Sequence, residues 1–157
     1  MSDPTMQGTP PGATAPRWSL AEIDAQCRKA ARGLGCPWGM AEEAGKAARQ
    51  LAAHGLPGPE ALATMLGART ACCCTSGARC DLRIGVEAAD QGTRPGEGAS
   101  ILTRAIAGDY ALPGAPGSRA VAPEAWAILD RLAARTYAPA SEASRRSGAG
   151  AGTTDND

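Results

Sequence analysis

At 157 residues the chain has room for one domain with tails rather than two. Its formal charge is zero and its pI near 6.6, which excludes a chain-wide basic pull on nucleic acid. No apolar run reaches the ~20 residues of a membrane-spanning helix, and with 35 alanines and no phenylalanine the composition points to helices around a small core.

The first stretch, Met1 to Pro16, is Pro, Gly and Thr without the charged-then-apolar pattern of a signal peptide. Residues 1–17 therefore read as a disordered lead-in and the protein as cytoplasmic. Six cysteines in such a chain read as thiols rather than a disulfide framework.

Trp18 to His54 predicts two helices folded back on each other. Ser19 and Glu22 have the spacing of a capping box, and Trp18 and Ile23 that of a hydrophobic staple. Leu20, Ile23, Cys27, Ala30, Ala31 and Leu34 then follow one face at a period of 3.6. Arg28, Lys29 and Arg32 fall in the last turns, where cations suit the helix dipole, and Gly33 and Gly35 offer a stop. Pro37 breaks the chain before a second helix from about Trp38 to His54, with an apolar line of Met40, Ala44, Ala48 and Leu51. Gly45 inside it implies a tight helix crossing or a ligand, with packing the favoured reading, and Gly55 ends it. Pro59 opens a short third helix to about Ala68 that buries Leu62, Met65 and Leu66.

Residues 69–120 read as a loop-rich insert that holds a short strand or two. Cys72, Cys73, Cys74 and Cys80 do not form two spaced ligand pairs, and His54 is the only histidine, so no metal site is assigned. A thiol or zinc role for Cys72–Cys80 is the weakest functional reading. Leu82, Ile84 and Val86 alternate with polar residues or glycine, a strand pattern over Cys80 to Ala88. Ser100 to Leu112 fits a short helix or a strand with a turn, and Leu112 to Ser118 is a Pro/Gly linker. Pro123 restarts the order as a helix whose rows Trp126, Leu129, Ala133, Thr136 and Ala125, Ile128, Leu132 face the N-terminal hairpin. The fold expected is mainly α, one helical domain over 18–140. The end, 141–157, is a glycine-rich segment with Ser141 placed as an N-cap.

S-L-A-E-I-D, K-A-A-R-G-L-G-C-P-W-G-M-A-E-E-A-G-K-A, R-T-Y-A-P-A-S-E-A-S-R and G-A-G-A-G-T-T-D-N-D together resemble a bacterial family, domain-of-unknown-function family 3726. The likeness covers Arg17–Gly67 and Val121–Asp157, and the triple-cysteine segment departs from it. It implies no established activity. It does imply that the last ten residues belong to the family's pattern.

The functional expectation is a small accessory or binding module for an acidic metabolite or another protein, with no nucleic acid and no membrane partner and no cofactor specified. Its candidate residues are Glu42, Glu43 and Lys46 on the second helix and Arg145 with Gly148, Gly150 and Gly152 as an anion-holding loop. Asp155 and Asp157 are possible oxygen donors. Against this stands the plainer reading that Glu42, Glu43 and Lys46 form a solvated helix face. The alternative is a small metabolic enzyme in which Glu42 or Glu43 moves a proton while Arg145 and the Gly148–Gly152 loop hold an acidic substrate. Nothing in the sequence pairs a nucleophile with a base, and His54, beside Gly55, reads as a capping cation.

Overall fold

A computed structural model of the chain describes residues 16–72, 79–110, 118–137 and 142. Within them six helices run in chain order: α1 (Leu20–Gly33), α2 (Trp38–Ala53), α3 (Gly58–Gly67), α4 (Asp81–Asp90), α5 (Ile101–Ile106) and α6 (Pro123–Ala133). A single 3-10 turn, Ala134–Thr136, extends α6. The fold is mainly α, as the composition predicts.

Helix α1 starts where its capping box requires. The Ser19 N–H donates to Glu22 Oε2 at 2.8 Å, and the Glu22 N–H donates to Ser19 Oγ at 3.1 Å. The Ser19 amide, then its hydroxyl, hold the Glu22 carboxyl below its ordinary value of 4.5. The folded-state pKa thus lies below the unfolded one, so this contribution is present above about pH 4.5 and fades as pH falls further. Acid unfolding followed by circular dichroism is expected to lose this part of its pH dependence in Glu22→Gln. Ser19→Ala is expected to cost about 1 kcal/mol near neutral pH.

Gly35, not Gly33, ends α1. With φ at +96° it lets its own N–H reach Arg32 O and the Cys36 N–H reach Ala31 O, satisfying two terminal carbonyls. Gly55 closes α2 the same way through Ala52 and Leu51. His54 is the C-cap residue of α2, with its ring 5.8 Å from that of Tyr110.

The core lies between α1, α2, α3 and α6, filled by Ile23, Leu51, Leu62, Leu66 and Leu129 and widened by buried alanines. So few large side chains close a core only if the helices come near one another. Glycines allow it. A Cβ on Gly45 would meet Asp24 Oδ1 at 2.6 Å, the tight α1–α2 crossing that a glycine in mid-helix implied. At Gly33 it would meet the Leu132 carbonyl oxygen at 1.8 Å, so α1 and α6 touch backbone to backbone. At the opposite end of the two helices the Trp18 and Trp126 rings stack at 3.9 Å, and between the two contacts Gln26 Nε2 donates to Asp130 Oδ1 at 3.2 Å. The C-terminal helix therefore packs on the N-terminal hairpin, as its apolar face predicts.

Three local expectations are corrected. Asp81–Asp90 is helix, not strand: its buried face is Leu82, Gly85 and Ala88, and Gly85 lets the Thr103 carbonyl and Ile106 of α5 approach. The alternation of Leu82, Ile84 and Val86 misleads because Leu82 is buried with Gly85 and Ala88 at helical spacing, while Ile84 and Val86 are only partly buried. Asp81 accepts a hydrogen bond from Thr103 Oγ1 at 3.0 Å, and Arg83 pairs with Glu87 at 2.9 Å along the helix. Ser100 N-caps α5, which settles the second segment as helix. Lastly, Arg17 belongs to the fold rather than to the lead-in. β1 (Arg17–Ser19) pairs antiparallel with β2 (Ser118–Ala120), Trp18 opposite Arg119. Arg119 then reaches past the sheet to donate to Ala53 O at the end of α2. So the short strand of the central region lies at its far end, and its other described residues are more helical than an insert of loops.

Candidate functional site

The candidate residues of α2 do not form a buried constellation. Glu42 and Lys46 are exposed, and Lys46 Nζ pairs at 2.7 Å with Glu43 three residues back rather than with Glu42. The hydrogen bond and charge of Glu43 raise the Lys46 pKa, a shift that water at this open site screens. Glu43 also borders an apolar groove of about 530 Å³ beside Met40, Val86 and Ile106. Expected for Glu43→Gln is a change in unfolding free energy of less than about 0.5 kcal/mol, read by urea denaturation. Arg145, Gly148, Gly150, Gly152, Asp155 and Asp157 lie outside the described residues, as does Ser141.

The four described cysteines, Cys27, Cys36, Cys72 and Cys80, are all buried. Burial, with Asp24 and Glu60 nearby, pushes the Cys27 thiol well above its ordinary range, so it stays protonated and inert. Cys72 and Cys80 are buried, and Cys73 and Cys74 lie outside the described residues. Among the described residues no three His, Cys, Asp or Glu side chains converge in a way suited to a metal ion.

A larger cleft lies elsewhere, at the C-terminal end of α1. Its volume is about 750 Å³, within the range of small-molecule sites. One wall is α1 itself, presenting Arg28, Lys29 and Arg32; the facing wall is Arg135 and Tyr137 at the end of α6. Trp38, the first residue of α2, closes a third side. Four cations line this cleft, and no carboxylate does among the described residues.

Local chemistry holds these groups in place. The Arg32 guanidinium lies 4.7 Å from the centre of the Trp38 ring and donates to the Cys36 carbonyl. Lys29 Nζ lies 5.6 Å from the centre of the Tyr137 ring and 3.5 Å from its hydroxyl. The negative end of α1 is offset within its own turn, since Ala31, Arg32 and Leu34 give their carbonyls to Cys36, Gly35 and Cys72. The cations are thus left facing the cleft. Trp38 is 64% exposed and Tyr137 61%, the two large hydrophobic side chains left in solvent among the described residues, and both border it.

Residues 18–94 match the model of a family described as a protein of unknown function, DUF3726. Over that span the chain belongs to the family. The match takes in central residues that the motif resemblance left aside, while Val121–Asp157 lies beyond it. The DUF3726 span carries Arg28, Lys29, Arg32 and Trp38, and α6 supplies Arg135 and Tyr137 from outside. No curated protein and no solved structure matches the chain. No helix among the described residues is long and apolar enough to cross a membrane.

The sequence pointed to α1 cations only as partners of the helix dipole. Arg28, Lys29 and Arg32 on one stretch of helix were the available signal. What turns them into a site is Arg135 and Tyr137, and nothing local announces that juxtaposition.

Proposed function

We propose that this chain is a cytoplasmic binding module for a small acidic metabolite, held in the cleft between α1, α6 and Trp38. The observation that carries the reading is the lining: among the described residues, four cations from α1 and the turn after α6, and no carboxylate. Arginine donates in a fork that matches carboxylate and phosphate, and a partly enclosed cleft strengthens such pairs relative to open water. Cys27, a buried thiol, suits a reducing compartment. The helical body carrying the cleft is proposed as one domain over 18–140.

The test is calorimetry and thermal shift on the full chain with citrate and inorganic pyrophosphate at low salt. Saturable binding is expected, with a probe at about 100 times its Kd stabilising the fold by about 2.7 kcal/mol, a rise in Tm of roughly 10 °C. Affinity is expected to fall as salt is added, since the Debye length shrinks to ~8 Å at 0.15 M. Absence of binding by either probe at low salt would overturn the proposal.

A further inference from the structure

The two rings add what charge alone does not specify. An anion site needs cations and amides. It does not need an indole and a phenol left in water at its rim. We infer that the ligand is a nucleoside mono- or diphosphate, its base stacked on Trp38 and its phosphate held by the cations of α1 and Arg135. The inference rests on the anion-binding reading of the same cleft and narrows it.

Three observations converge on this ligand class. First, Trp38 keeps most of its surface exposed while the Arg32 guanidinium lies over the ring, so the indole is positioned for a planar guest. Every base has a π-face, and stacking on an aromatic side chain is sequence-tolerant. Second, Lys29 and Arg32 sit three residues apart on one helix face, so their side chains emerge about 5–6 Å from each other. From that separation two long, flexible side chains can bring their charged ends together on one phosphate. Third, a cleft of about 750 Å³ is ample for base, sugar and phosphate together and oversized for a single carboxylate. A long nucleic acid is disfavoured by the zero formal charge of the whole chain.

The experiment uses the full chain with adenosine 5′-monophosphate, ribose 5-phosphate and adenosine as calorimetric probes. The monophosphate is expected to bind at least 10-fold more tightly than ribose 5-phosphate and to quench tryptophan emission. Trp38→Leu is expected to weaken the monophosphate about 10-fold, to the level of ribose 5-phosphate, and to abolish the quench. The affinity of ribose 5-phosphate should fall much less, since only Arg32 among the four cations rests on the Trp38 ring. Because Trp38 is exposed, the variant retains its fold, checked by the unaltered emission of the stacked Trp18–Trp126 pair. Tyr137→Leu gives a second, independent reading of the opposite ring. Equal affinities for the monophosphate and ribose 5-phosphate would overturn the nucleoside inference and leave the anion site standing. Equal weakening of both by Trp38→Leu would do the same. Binding of neither phosphate would overturn both.

Discussion

Changing Arg28 and Arg135 together to glutamine should weaken the binding of citrate or pyrophosphate roughly 100-fold while leaving the fold in place. The two residues stand on different elements, one on α1 and one in the turn that extends α6, so each reaches the anion from its own side. A hydrogen bond to a charged group contributes about 1.5–3 kcal/mol, and partial exposure of both side chains places these at the low end. Two such losses, at about 1.4 kcal/mol per factor of ten, give the expected change. Glutamine keeps much of the stem that packs on neighbouring surface, so the melting temperature of the unliganded protein should move by no more than a few degrees. The slope of affinity against salt should flatten in the same variant, because fewer charges remain to be screened. Unchanged affinity in the double variant would place any anion site elsewhere in the chain.

Gly33→Ala should be the most damaging small substitution in the described chain. The added methyl would lie 1.8 Å from the carbonyl oxygen of Leu132 and 2.7 Å from its carbon, both backbone atoms with no rotamer to give way. Helix α6 would have to move off α1, loosening the Trp18–Trp126 stack and shifting Arg135. Overpacking of this kind costs on the order of 3 kcal/mol, and in a domain of this size such a loss lowers Tm by about 10 °C or more. Gly39→Ala is the control. No atom lies within 4 Å of its added Cβ, and alanine is favoured over glycine in a helix by up to about 1 kcal/mol. That variant should melt at or slightly above the parent. Equal melting of the two variants would refute the account of α1 and α6 as a backbone contact.

Both results bear on how this core is made. Large apolar side chains are scarce, and the helices compensate by approaching closely at Gly33, Gly45, Gly58 and Gly85. A reading that weighs bulk apolar residues more than small ones finds α1, α2 and α6 correctly. It errs at α4, where Gly85 and Ala88 are two of the three buried residues. The same blindness hides the cleft. Lys29 and Tyr137 meet although they are 108 positions apart, and neither residue looks unusual among its sequence neighbours.

The amino-acid sequence alone determined where the main helices begin and end and which faces they bury. Ser19, Glu22, Gly35, Gly55 and Pro123 act through hydrogen bonds and dihedral limits within one turn of the chain, and such signals need no distant partner. Tertiary structure decided the pairing of Arg17–Ser19 with Ser118–Ala120, the helix at Asp81–Asp90, and the gathering of four cations and two rings at the end of α1. Those outcomes depend on how close two backbones can come and on what stands opposite. Both are properties of the packed molecule, because a side chain's charge or ring acquires a role only from what packing sets beside it.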